Sequence, residues 1–131
     1  MVVAGLAAGL LGAVVLSGLL WMIASYFFGA RRNWENGSKM GTIVFWIFSA
    51  LLTLGFLIGL IVVLSSFSIS AFEIGLLIGF IIFGIIALSS AYNIGAYRTE
   101  VLTLGFWISL AFFILGIIGT TAFLILLIIF L

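Results

Sequence analysis

Glutamate is the residue of this chain best suited to chemistry inside a membrane. The three acidic residues are glutamates at positions 35, 73 and 100, and the sequence contains no histidine, cysteine or aspartate. Glu73 lies near the start of an apolar segment, where it could act as a proton-carrying carboxylate of the kind found in rotary rings or small antiporters. However, Ser70 and Glu73 also have the spacing of a helix capping box, in which both side chains bond backbone amides. The spacing favours the cap over the proton site.

The missing residue types exclude most catalytic sites. Without histidine, cysteine or aspartate, and with glutamates in separate segments, the chain offers no ligand set for zinc, copper, iron, magnesium or haem. It also offers no acid–base or nucleophile–base pair. A net charge of +1 does not indicate a nucleic-acid partner. We therefore expect no catalytic residue, metal, cofactor or soluble substrate of its own, and no enzyme activity outside a larger complex.

The composition predicts an integral membrane protein. Hydrophobic residues make up 67% of the 131 positions, charged residues make up 5%, and proline is absent. Four apolar segments predict a single all-α domain of four transmembrane helices, approximately at residues 2–28, 42–64, 71–91 and 101–131. The short polar segments between them predict an antiparallel bundle. We expect Gly29 to cap the first helix, Asn93 to Gly95 to end the third, Ser38 or Thr42 to begin the second, and Thr99 to begin the fourth.

The charged and aromatic residues predict the orientation. With four spans, the loops at residues 29–41 and 92–100 lie on one side of the membrane. Every lysine and arginine falls in these loops, so the positive-inside rule places both loops in the cytoplasm and both termini outside. Aromatic residues in or near the loops predict an interfacial belt. We expect the membrane to be a prokaryotic cell membrane. The residues behind this topology are Arg31, Arg32, Lys39, Arg98, Trp34, Trp46, Tyr97 and Trp107.

Small residues recur on one face of each predicted helix. Such faces let helix backbones approach closely in lipid. An alternative is that glycine is simply common in membrane helices, but the crowding of small residues in the first span favours a packing face there. The predicted packing glycines are Gly5, Gly9, Gly12, Gly55, Gly59, Gly75, Gly79, Gly105 and Gly116.

Similar segments in the two halves raise the question of an internal repeat. Residues 52–56 and 102–106 both read LTLGF, and spans one and three both end in Gly-Ala followed by arginine within two positions. A duplicated two-helix unit is one interpretation, and coincidence in a chain rich in leucine, glycine and phenylalanine is the other. Coincidence is favoured, because the LTLGF copies lie at different distances from their loops.

Two function classes remain. The first is a non-catalytic accessory subunit of a larger respiratory, energy-converting or translocation complex, with other integral membrane subunits and lipids as partners. The second is a small oligomeric transporter or channel with Glu73 as its ionisable group. The size and four spans resemble the small multidrug antiporters, but those need a glutamate in the first span, where this chain has no charge. They also resemble the fluoride channels, whose pore motifs are absent here. We therefore favour the accessory subunit.

Overall fold

The computed structural model describes residues 2–30, 37–66, 71–97 and 103–130, and the secondary structure in these ranges is helical. Each of the four helices is long and apolar enough to cross a membrane. This confirms the prediction of an all-α, multi-pass membrane protein. The helices are α1 at Val2–Ala30, α2 at Gly37–Ser65, α3 at Ala71–Ala96 and α4 at Leu104–Phe130.

The helices α1 and α3, which precede the two basic segments, end later than the sequence predicts. The prediction that Gly29 caps α1 is wrong, as is the prediction that Asn93 to Gly95 end α3, because both stretches are helical and no described glycine has a positive φ. Because the helices continue through these residues, their backbone N–H and C=O groups form intrahelical hydrogen bonds that lipid could not replace.

The predicted starts of α2 and α4 also change. Since α2 begins at Gly37, Ser38 and Thr42 lie inside the helix and are not N-caps. At the start of α4, Thr103 Oγ1 accepts a hydrogen bond from the Phe106 amide at 3.5 Å, an N-cap arrangement. The N-cap predicted at Thr99 lies outside the described residues.

The helices pack in the order α2, α1, α3, α4, with α1 and α3 at the centre. Between α1 and α2, the Trp46 indole donates a hydrogen bond to Ser25 Oγ at 2.9 Å, while a Cβ on Gly59 would lie 3.6 Å from Leu10. Between α3 and α4, the rings of Phe83 and Phe123 stack with centroids 5.6 Å apart. Each outer helix therefore packs mainly against one central helix, α2 against α1 and α4 against α3.

The central contact is a reciprocal crossing of α1 and α3 at two glycines. A Cβ on Gly29 would overlap the carbonyl oxygen of Tyr92, and a Cβ on Gly95 would overlap the carbonyl oxygen of Tyr26. Only glycine permits so close an approach of two backbones. Each glycine therefore meets the carbonyl three residues before the other, so the contact between the two helix ends is reciprocal.

The two possible repeat signals differ in the structure. The LTLGF copies are not equivalent, because Thr53 is buried in the middle of α2 while Thr103 is exposed before α4. By contrast, the shared Gly-Ala ends of spans one and three are the residues that meet at the crossing. The resemblance of these ends thus has a structural counterpart, whereas that of LTLGF has none.

A cluster of buried apolar side chains fills the bundle at the end away from the glycine crossing. Outside the cluster, large apolar side chains cover the surface, as in Leu16 with 67% of its area exposed and Leu51 with 65%. An apolar surface of this kind suits lipid as its solvent. The cluster comprises Ala7, Leu11, Val14, Leu60, Leu64, Leu76, Leu77, Phe80 and Leu127.

Candidate functional site

Glu73 lies in the first turn of α3 and is partly exposed. Close to it, the rings of Phe72 and Phe130 meet edge to face with centroids 5.0 Å apart. Ser70 lies outside the described residues, so the capping box remains a prediction. Nevertheless, the first turn of a helix is where a carboxylate is stabilised by the helix dipole.

The predicted packing glycines fall into two groups. Four of them contact another segment: Gly59 faces Leu10, Gly79 faces the Phe123 ring, Gly105 faces the Tyr97 ring and Gly116 faces the Ala87 backbone. The other five have no atom within 4 Å of a Cβ built on them, and these are Gly5, Gly9, Gly12, Gly55 and Gly75. The second group therefore does no packing among the described residues and is open at the surface.

A groove runs beside the open glycines of α1. It has a volume of about 630 Å³ and lies between α1 and the distal part of α4. We call it the glycine groove, because Gly12 lines it and the exposed residues Gly5 and Gly9 continue the same face of α1. Its lining residues are Ala8, Leu11, Gly12, Val15, Leu16, Leu124 and Ile128.

Aromatic side chains from three helices meet between α1, α2 and α3. Trp46 contacts Trp21 and Phe28 edge to face, with centroids 5.9 and 5.6 Å apart. Phe28 in turn lies 5.7 Å from the ring of Tyr92. Trp46, predicted as part of an interfacial belt, thus also joins α2 to α1, and the Phe28–Tyr92 contact extends the ring cluster to α3.

A cavity of about 390 Å³ adjoins these rings, and we call it the aromatic cavity. The indole Nε1–H of Trp21, one of its lining residues, is buried and has no hydrogen-bond partner among the described residues. Buried indole donors normally have an acceptor. The lining residues are Trp21, Ser25, Phe28, Trp46, Ile85, Leu88, Ser89, Tyr92 and Asn93.

A second cavity continues from the aromatic cavity toward the middle of the bundle. This apolar cavity has a volume of about 330 Å³ and shares Trp21, Ile85 and Leu88 with the aromatic cavity. Residues of all four helices line it, and a Cβ on Gly18 or Gly84 in its wall would meet no atom within 4 Å. The residues that line the glycine groove and these two cavities are all uncharged.

The residues behind the predicted orientation are placed only in part. Arg31, Arg32, Trp34 and Arg98 lie outside the described residues, and the side chain of Lys39 is likewise not described. Trp107 projects from α4 with 53% of its area exposed, while the Tyr97 ring lies 3.3 Å from a Cβ built on Gly105. These two side chains therefore have unlike surroundings.

Several structural residues were missed from the sequence. The sequence indicates Gly29 and Gly95 as helix ends, although the repeated Gly-Ala pair is a signal for their shared role. Gly119 packs against the Phe83 ring and was not among the predicted packing glycines. The gap beside Trp21 had no signal in the sequence, because it depends on how three helices meet.

Comparison with known proteins gives no relative: no family model, curated protein or solved structure matches the chain.

Proposed function

We propose that this chain is a non-catalytic accessory subunit of a larger integral membrane complex of respiratory, energy-converting or translocation type. In this proposal the chain docks through the glycine groove. The open face of Gly5, Gly9 and Gly12 is the observation that supports it most, since bare backbone is available there and no described residue covers it. In lipid, such a face favours association with another helix.

The surfaces outside the membrane also favour docking within the bilayer. Between the helices there are only short segments, and the exposed side chains of the helices are largely apolar. A specific partner therefore has its largest available contact area inside the membrane. The partner we propose is a helix of another membrane subunit, with lipids covering the remaining surface.

The proposed topology is an antiparallel bundle in a prokaryotic cell membrane, with both termini outside and the loops at residues 29–41 and 92–100 in the cytoplasm. The order of contacts supports the antiparallel arrangement, because Trp46 meets Ser25 whereas the later residue Gly59 meets the earlier residue Leu10. The distribution of lysine and arginine supports the orientation.

The alternative is an oligomeric transporter that uses Glu73. Glu73 lies in the first turn of α3 and lines neither the two cavities nor the glycine groove. A carboxylate at a helix start suits a cap better than an ion path. The accessory role is therefore the better supported of the two.

The proposal predicts that Gly9→Leu separates the chain from its partners. A leucine there would fill the docking face, and its Cβ would meet no atom of another helix within 4 Å. We expect proteins that co-purify with the wild type from native membranes in mild detergent to be lost, while circular dichroism stays unchanged.

The matched control is Gly55→Leu, which places the same side chain on an open, exposed face of α2. It should retain the partners, as judged by mass spectrometry of the purified material. If Gly9→Leu retains the same partners in the same amounts, docking through the glycine groove is wrong.

A further inference from the structure

We propose that the aromatic and apolar cavities together bind an uncharged membrane amphiphile that has a carbonyl group joined to an apolar tail. Two membrane components share this chemistry, namely an isoprenoid quinone and a diacyl glycerolipid. The proposal does not rest on the accessory role, because its evidence comes from the two cavities and not from the open glycines of α1, although Val15 and Leu124 line both the apolar cavity and the glycine groove.

The unpartnered indole of Trp21 defines the polar end of the ligand. An indole N–H is a donor and cannot accept a hydrogen bond, and in this chain it is buried without an acceptor among the described residues. A ligand that enters the cavity beside this ring can supply the missing acceptor. Ser89 and Asn93 line the same cavity and add further hydrogen-bonding groups.

The absence of charge from the lining residues defines the class of acceptor. A carboxylate or phosphate placed beside these residues would lose its hydration without gaining a cationic partner from them. A neutral carbonyl oxygen accepts the indole hydrogen without that penalty. The group beside Trp21 is therefore an uncharged acceptor, and we take it to be a carbonyl, as in a quinone ring or a fatty-acid ester.

The depth and shape of the two cavities match such an amphiphile. Along α3 the lining residues run from Asn93, near the helix end, to Phe80, which is about 20 Å of helix. Polar side chains concentrate at the Asn93 end, and the walls are mostly apolar toward Phe80. The cavity volumes of about 390 and 330 Å³ also fall within the usual range for ligand sites.

The test measures tryptophan quenching in the purified full chain in non-ionic detergent. Replacing Trp34 and Trp107 by phenylalanine leaves Trp21 and Trp46, which both line the aromatic cavity, as reporters. The probes are decylubiquinone, an uncharged diacylglycerol with brominated chains, and its diether analogue, which keeps the brominated chains but lacks the carbonyls.

We expect saturable quenching by decylubiquinone, by the diester or by both, and weaker, non-saturating quenching by the diether. Saturation by decylubiquinone alone identifies a quinone site, and saturation by the diester alone identifies a glycerolipid site. Saturation by both supports the shared carbonyl chemistry. The proposal is overturned if quenching saturates with neither decylubiquinone nor the diester. It is also overturned if decylubiquinone does not saturate and the diether quenches as strongly as the diester, because the carbonyl would then make no difference.

Two variants test the two halves of the site. Trp21→Phe keeps the ring and removes the donor, so Kd should rise about three- to tenfold, with Trp46 as the reporter. Gly84→Leu would fill the apolar cavity, where a Cβ meets no atom within 4 Å, and should raise Kd more than about tenfold.

Gly55→Leu is the matched control, because Gly55 is open but lines neither cavity. Its Kd should equal that of the parent. An unchanged Kd in both Trp21→Phe and Gly84→Leu would overturn the site. Because Trp21→Phe is conservative, the test does not depend on whether Gly84→Leu folds.

Discussion

At the scale of single residues, the position of Glu73 within its helix separates a structural role from a transport role. The side chain is in the first turn of α3, where the helix dipole stabilises a negative charge. A carboxylate that transports protons would be expected on a path through the bundle, but Glu73 lines neither the two cavities nor the glycine groove. This position favours the predicted helix cap over a proton path.

Replacing Glu73 by glutamine tests this explanation. A weakened cap should lower the free energy of unfolding by about 0.5 to 1 kcal/mol, measured by denaturant titration in detergent. The parent complex should keep its turnover or transport rate, since glutamine preserves the size of the side chain. A normally assembled Glu73→Gln complex without activity would instead support the proton-carrier role.

At the scale of helices, the crossing of α1 and α3 determines how the bundle is assembled. These two helices are the central pair, and at Gly29 and Gly95 the backbone of each lies directly against that of the other. Because apolar surface gains little from burial in lipid, close backbone contact becomes a main source of helix association. The crossing should therefore tolerate added side-chain volume poorly.

Gly95→Ala tests the crossing with a single methyl group. Its Cβ would overlap the Tyr26 carbonyl oxygen, so α1 and α3 must move apart. We expect a loss of about 1 to 3 kcal/mol in the free energy of unfolding, as found for overpacked cores. Gly55→Ala, at an open position, is the control and should change stability by less than about 1 kcal/mol. Equal stabilities of the two variants would contradict the role of the crossing.

The helices show which parts of the structure could be predicted from the sequence. Their number follows from the apolar segments, because lipid requires long stretches without charge. The ends at Gly29 and Gly95 were mispredicted, since glycine suits both a helix end and a close helix contact, and one sequence does not tell them apart. For the same reason Gly79 and Gly75 look alike in sequence, although only Gly79 meets a ring of α4.

At the scale of the whole molecule, the proposed topology makes a claim about both sides of the membrane. In this cysteine-free chain, Ser38→Cys and Thr99→Cys should both react with an impermeant thiol reagent from the cytoplasmic side. Ser66→Cys, at the exposed end of α2, should react from the opposite side. Labelling of positions 38 and 99 from different sides would refute the proposed orientation.

The central claim is that another subunit covers the glycine groove, and photo-cross-linking in native membranes tests it most directly. A photoreactive amino acid at Leu16, which lines the groove and is 67% exposed, should form an adduct with a different membrane protein. The same amino acid at Leu51, which is 65% exposed on α2 and does not line the groove, should react with lipid alone. An adduct of twice the 14.1 kDa chain mass, or no protein adduct at Leu16, would contradict the claim.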